Sequence, residues 1–247
     1  MSDEINYPTG FGLHDIVSWG NLGLICLDKS SNTVVKSPHD QENSDEIAIE
    51  RSVYERFQEH GSNEGLLRYY GPYELGIRLE FACNGNLRRF LKTNAKDISV
   101  EQRLYWAAQI AKVLCFVHSA NVIHGDLSCS NILLDGNLNA KLSDFGGSSL
   151  DGSPLLVAVA PSHRSPGSAL SIQGDIFALG STLYEIMTGD VPYRALSEEE
   201  IHARYAIKEF PETKFLGPMG DIIASCWHGR YNSFEAIIKD IRGIHAK

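Results

Sequence analysis

The stretch Val122–Gly147, VIHGDLSCSNILLDGNLNAKLSDFGG, constrains this chain more than any other. Ile132-Leu133-Leu134 reads as a short buried strand and Ala140-Lys141-Leu142 as its return, with turn chemistry from Asp135-Gly136-Asn137 between them. Such a hairpin carries Asp144 back beside Asn131, with Asp126 just upstream. A carboxylate next to an amide offers hard oxygen ligands of the kind Mg²⁺ takes, phosphate oxygens filling the remaining positions. Asp126 is then free to accept a proton.

Composition narrows the classes around this stretch. With 247 residues, 43% of them hydrophobic, the chain can bury a substantial core as one large domain or two lobes. A formal charge of −9, with no basic cluster beyond Arg88-Arg89, argues against a nucleic-acid binder. Five scattered cysteines without a C-x-x-C pair point to reduced thiols in a cytoplasmic or nuclear setting and to no zinc site. The acidic start MSDEINYPTG is unlike a signal peptide, and no apolar run is long enough to cross a bilayer.

In chain order, strand patterns come first: Ile16-Val17, Leu24 to Leu27 and Thr33 to Lys36. Ser18-Trp19-Gly20-Asn21-Leu22-Gly23 fills the first hairpin, where small residues let backbone N–H groups approach phosphate oxygens. A helix is expected from about Asp45 to His60, with an apolar stripe of Ile47, Val53, Tyr54 and Phe57. Two further strands, Leu66 to Tyr70 and Gly76 to Phe81, are separated by a turn at Gly71-Pro72. Helical patterns dominate after Asn86. Ser99-x-x-Gln102 caps a long helix bearing Leu104, Ala107, Ile110, Leu114 and Val117 on one face, with His118 as a packing residue. An apolar helix follows over Gly174 to Gly189, opened by Asp175, and three more helical stretches end near His245.

His124-x-Asp126-x-x-x-x-Asn131 followed by Asp144-Phe145-Gly146 resembles the catalytic and metal-binding segments of eukaryotic protein kinases. The run from Gly174 to Tyr193 resembles the central helix of the kinase large lobe, and Cys226-Trp227 the C-W pair of tyrosine-kinase and related domains. The likeness extends from Ile16 to about Ile244, and the compact length is similar to that of small kinase-like domains of fungi. It implies an α+β two-lobe fold: residues 1–82 as a small antiparallel sheet with one helix, and residues 83–247 as a larger, mainly helical lobe. It also implies ATP and Mg²⁺ as cofactors and a protein hydroxyl, on Ser/Thr or Tyr, as acceptor. By the same resemblance Asp126 is the catalytic base, Asn131 and Asp144 hold the metal, and Lys36 clamps the α and β phosphates. Glu50 is the expected partner of Lys36, with Glu46 the competitor. Ser18, Gly20 and Gly23 form the loop over the phosphates; Glu80 and Ala82 would meet the adenine edge through their backbone, with Leu79 guarding the pocket behind it. His124 orients and Asp175 fixes the catalytic-loop backbone.

Four positions depart from that pattern. Ser18 replaces the first glycine of the loop; Gly125 stands where many regulated kinases carry the arginine that receives an activation-loop phosphate; Ser128 stands where serine/threonine kinases have lysine; and the A-P-E ending is reduced to Ala160-Pro161-Ser162, leaving Arg230 without an obvious partner. Phosphorylation of Ser148, Ser149 or Ser153 is therefore not expected to be required. Two other readings stay open on the sequence: a pseudokinase binding or scaffold module, and a small-molecule kinase of the aminoglycoside or choline kinase type.

Overall fold

The computed structural model describes residues 6–19, 23–39 and 44–245. Its small lobe is a five-stranded antiparallel sheet in the order β1-β2-β3-β5-β4, formed by Ile16–Trp19 (β1), Leu24–Asp28 (β2), Thr33–Ser37 (β3), Tyr69–Tyr73 (β4) and Gly76–Glu80 (β5). Helix α1, Ser44–His60, packs on it through Ile47, Val53, Tyr54 and Phe57, each 3% exposed or less. Spacings of seven from Ile47 to Tyr54, three from Tyr54 to Phe57 and four from Val53 to Phe57 put these side chains on one helical face, which is why the helix docks.

The segment Gly71-Pro72 is not a turn. It lies inside β4, paired with Arg78 and Ile77 of β5, with a bulge between Tyr69 and Gly71. Proline is tolerated because β4 is an edge strand, where a missing N–H costs no ladder bond. The chain reverses at Glu74-Leu75 instead.

The large lobe is helical: α2 (Leu87–Thr93), α3 (Val100–Ser119), α4 (Ile172–Thr188), α5 (Glu198–Ala206), α6 (Pro218–Trp227) and α7 (Phe234–His245). Ser99, Ser171 and Ser197 cap α3, α4 and α5 by accepting a backbone N–H from the first turn. Helix α4 is the spine of this lobe, buried from Gly174 through Leu183, as expected of a helix apolar on every side. Two short antiparallel sheets pack against α3 and α2: β6 (Val122–Ile123) with β9 (Ser149–Leu150), and the hairpin of β7 (Ile132–Leu134) with β8 (Ala140–Leu142). The turn joining β7 to β8 is held by Asp135, whose carboxylate accepts the N–H groups of Asn137 and Asn139.

Candidate active site

Between the lobes lies a cavity of about 570 Å³, in the range of small-molecule sites. Lys36, Glu50, Asp126, Asn131 and Asp144 all line it, with Leu79, Glu80 and Ala82 at its back and Ser18 and Gly23 at its roof. Gly20 lies outside the described residues. Gly23 has a packing reason for being glycine, since a Cβ there would lie 2.2 Å from the Ser37 carbonyl oxygen on β3.

Lys36 on β3 reaches Glu50 Oε2 at 2.6 Å and Asp144 Oδ1 at 2.7 Å. The helical stripe of α1 decides that Glu50, not Glu46, faces inward: Glu50 is 1% exposed. Burial opposes the Lys36 charge, but the two carboxylates outweigh it and hold the ammonium protonated far above neutral pH. Burial likewise pushes the Glu50 carboxyl up, against the pull of Lys36. For Asp144 burial is outweighed by Lys36, and its carboxyl lies below the usual carboxylate range. Asp144 keeps 41% of its side chain open to the cleft.

Asp126 sits on the loop between β6 and β7. Asn131 donates from Nδ2 both to the Asp126 carbonyl, at 2.7 Å, and to its Oδ2, at 2.8 Å. That orientation spends the amide nitrogen and leaves Asn131 Oδ1, with Asp144 Oδ2, free of protein donors among the described residues. One amide oxygen and one carboxylate oxygen suit Mg²⁺, which takes few protein ligands and keeps water and phosphate oxygens. Burial raises the Asp126 carboxyl, opposed by His124 and the Asn131 hydrogen bond.

The loop is held from below. Asp175 at the first turn of α4 accepts the backbone N–H of His124 at 2.8 Å and of Gly125 at 3.0 Å. It also meets His118 Nε2 at 2.8 Å, so His118 is a polar anchor as well as a packing residue against Phe234. The fully buried His124 ring contacts Phe145, and Phe145 packs edge-on against Tyr54 and Phe57 of α1. This column joins the two lobes behind the cleft.

A second anchor escaped sequence reading. Arg88 on α2 donates from Nε and Nη2 to both oxygens of buried Glu185 on α4, and from Nη1 to Ser130 Oγ, beside Asn131. The reduced A-P-E ending is compensated nearby. The Ser162 carbonyl accepts hydrogen bonds from Ser181 and Tyr205, and Trp227 Nε1 donates to Ser181 in turn. His163, fully buried and 4.0 Å from Glu185, is pushed down to about 3 by burial and by Arg88, so it is neutral. Arg230 lies exposed, and its side chain makes no hydrogen bond or salt bridge among the described residues.

A small antiparallel sheet over a helical body, with an ion-paired lysine facing an Asp–Asn pair across one cleft, defines a kinase-like fold. The chain belongs to the protein tyrosine and serine/threonine kinase family, whose family model matches residues 23–241. Among relatives, the rat megakaryocyte-associated tyrosine-protein kinase is 30% identical over 190 residues, covering 72% of this chain and 40% of that protein. A leucine-rich repeat receptor-like serine/threonine-protein kinase of Arabidopsis thaliana is 37% identical over 218 residues, covering 78% of this chain and 23% of its own length. The chain thus spans less than half of the length of either relative.

Proposed function

We propose that this domain transfers the γ-phosphoryl group of ATP to a hydroxyl of a protein substrate. The observation that carries this reading is the convergence of Lys36, Glu50 and Asp144 on one side of the cavity with Asp126 and Asn131 on the other. Phosphoryl transfer asks a protein for positioning and charge neutralisation more than for covalent chemistry. Lys36, oriented by Glu50, binds the nucleotide phosphates. Asn131 and Asp144 are the residues that would hold Mg²⁺, which when bound neutralises phosphate charge. Asp126 orients the acceptor hydroxyl and takes its proton, and its raised carboxyl makes it the better base. The Ala82 N–H, with no backbone acceptor among the described residues, is available to the adenine edge, whereas the Glu80 N–H is spent on the Arg68 carbonyl at 2.8 Å, so Glu80 would contribute through its carbonyl alone. We place the lobe division at residues 82 and 83, after β5. An intracellular setting accords with five cysteines that are all free.

The test is transfer of label from γ-labelled ATP with Mg²⁺ to generic protein acceptors, casein and histone, comparing wild type with Asp126→Asn. Transfer by the wild type alone is expected. Nucleotide-induced thermal stabilisation with no transfer would instead favour a binding module.

A further inference from the structure

We propose that Arg56 and Asp151 are positioning residues for phosphoryl transfer: the carboxylate just past β9 fixes helix α1 at the depth and rotation at which Glu50 reaches Lys36. The inference rests on the function proposed above. Arg56 is on the same helix as Glu50, and its guanidinium meets Asp151 in a two-point contact, Nη1 to Oδ1 at 3.0 Å and Nη2 to Oδ2 at 2.7 Å. Nη1 also donates to the Ala120 carbonyl at 3.1 Å. A paired fork of this kind fixes direction as well as distance.

What the fork grips matters more than the pair itself. The Asp151 N–H donates to the Asn121 carbonyl at 3.0 Å, extending the β6–β9 ladder by one rung. Strand β6 runs directly into His124 and Asp126, and β9 follows directly from Asp144-Phe145-Gly146. Arg56 therefore ties α1 to the one small sheet that carries both the base and the metal-binding acid. Asp151 is presented outward by a tight turn in which the Leu150 N–H donates to Ser153 Oγ and the Ser153 N–H returns to the Leu150 carbonyl.

Two of the three serines of this segment are closed to modification, and the third, Ser153, is exposed but has its Oγ engaged by the Leu150 N–H in the turn. Ser148 and Ser149 are 0% exposed, and Ser148 Oγ donates to the His124 carbonyl at 2.9 Å. With glycine at position 125 there is no arginine in the catalytic loop to receive a phosphate. A permanent carboxylate facing an arginine on α1 supplies the anchoring charge without a modifying enzyme. Arg56 holds the Asp151 carboxyl below the usual carboxylate range, so the anchor is ionised throughout the physiological interval.

The test is a double-mutant cycle on the intact chain: Arg56→Gln, Asp151→Asn and the two combined, assayed with labelled ATP, Mg²⁺ and casein. Each single change is expected to lower kcat about five- to twentyfold while leaving the KM for ATP within about twofold. The combined change is expected to be no worse than the more harmful single change, because both remove the same fork, Arg56→Gln also giving up the Ala120 contact. The pair is solvent-exposed, so wild-type kcat should fall as salt rises while the variants stay flat. Unaltered kcat in the single variants, or losses that multiply in the double, would overturn the proposal, as would variants whose loss tracks only a lowered Tm. A wild-type chain without transfer would remove the phosphotransfer reading and this one together, whereas an active wild type with indifferent variants would remove this one alone.

Discussion

Leu155 packs over Gly125 so closely that a Cβ at this glycine would lie 2.4 Å from Leu155 Cδ2. Gly125 also has φ +75°, a conformation that side chains with a Cβ rarely adopt. Gly125→Ala should therefore cost about 1–3 kcal/mol in chemical denaturation. Adding Leu155→Ala should recover only the steric part, since the backbone strain remains. A double variant fully as stable as Leu155→Ala alone would contradict this.

Lys36→Met should abolish transfer and also make stability depend on pH. The variant leaves Glu50, 1% exposed, buried without its cation, at a cost of about 3–5 kcal/mol near neutral pH. Burial raises the folded-state carboxyl above its usual 4.5, so protonation is favoured in the folded chain. The deficit relative to wild type is then greatest above that raised value and shrinks as pH falls through it. Urea denaturation at pH 5.5 and pH 8.0 checks the sign: a deficit equal at both would contradict it.

For Asp126, burial lifts the carboxyl above the usual 3.8 and a protonated acid cannot accept the hydroxyl proton. The acid limb of kcat should accordingly lie above that value, with activity lost as pH falls through it. Asp126→Asn should lower kcat by about 10²–10⁴ and flatten the limb. Single-turnover rates across pH 4.5–8 are the measurement, and an Asn variant with wild-type turnover would remove Asp126 from its role.

The Arg88–Glu185 pair should matter asymmetrically. Glu185→Gln keeps an acceptor oxygen and leaves Arg88, 29% exposed, where water can reach it, so the loss should be about 2–3 kcal/mol. Arg88→Met strands a carboxylate that is 2% exposed and should cost more, about 3–5 kcal/mol. Both should reduce kcat, because Ser130, held by Arg88, precedes Asn131. Equal losses in the two variants under chemical denaturation would argue that the pair is ordinary surface charge.

Much of the cleft could be read from sequence because its parts are close together or periodic. Asp126, Asn131 and Asp144 are brought together by one hairpin whose turn residues are explicit, and the choice of Glu50 over Glu46 follows from the stripe of Ile47, Val53, Tyr54 and Phe57. Arg88 was opaque for the opposite reason. Its partner is 97 positions away on another helix, and an Arg-Arg step on a short helix carries no mark of which guanidinium turns inward. Gly71-Pro72 misled because the dipeptide ordinarily signals a turn, and only its place at the sheet edge makes it acceptable within a strand. The helical period puts His118 on the buried face of α3 but does not disclose that Asp175, 57 residues on, waits there as an acceptor.

Leu79, 4% exposed, lines the inter-lobe cavity, and under the proposed function its bulk would limit how large a base-side substituent could enter. Trimmed to glycine, that wall would admit an ATP analogue enlarged by an apolar group that the intact leucine would exclude. Label passed on from such an analogue in a crude extract would then mark the direct targets of this chain and no others.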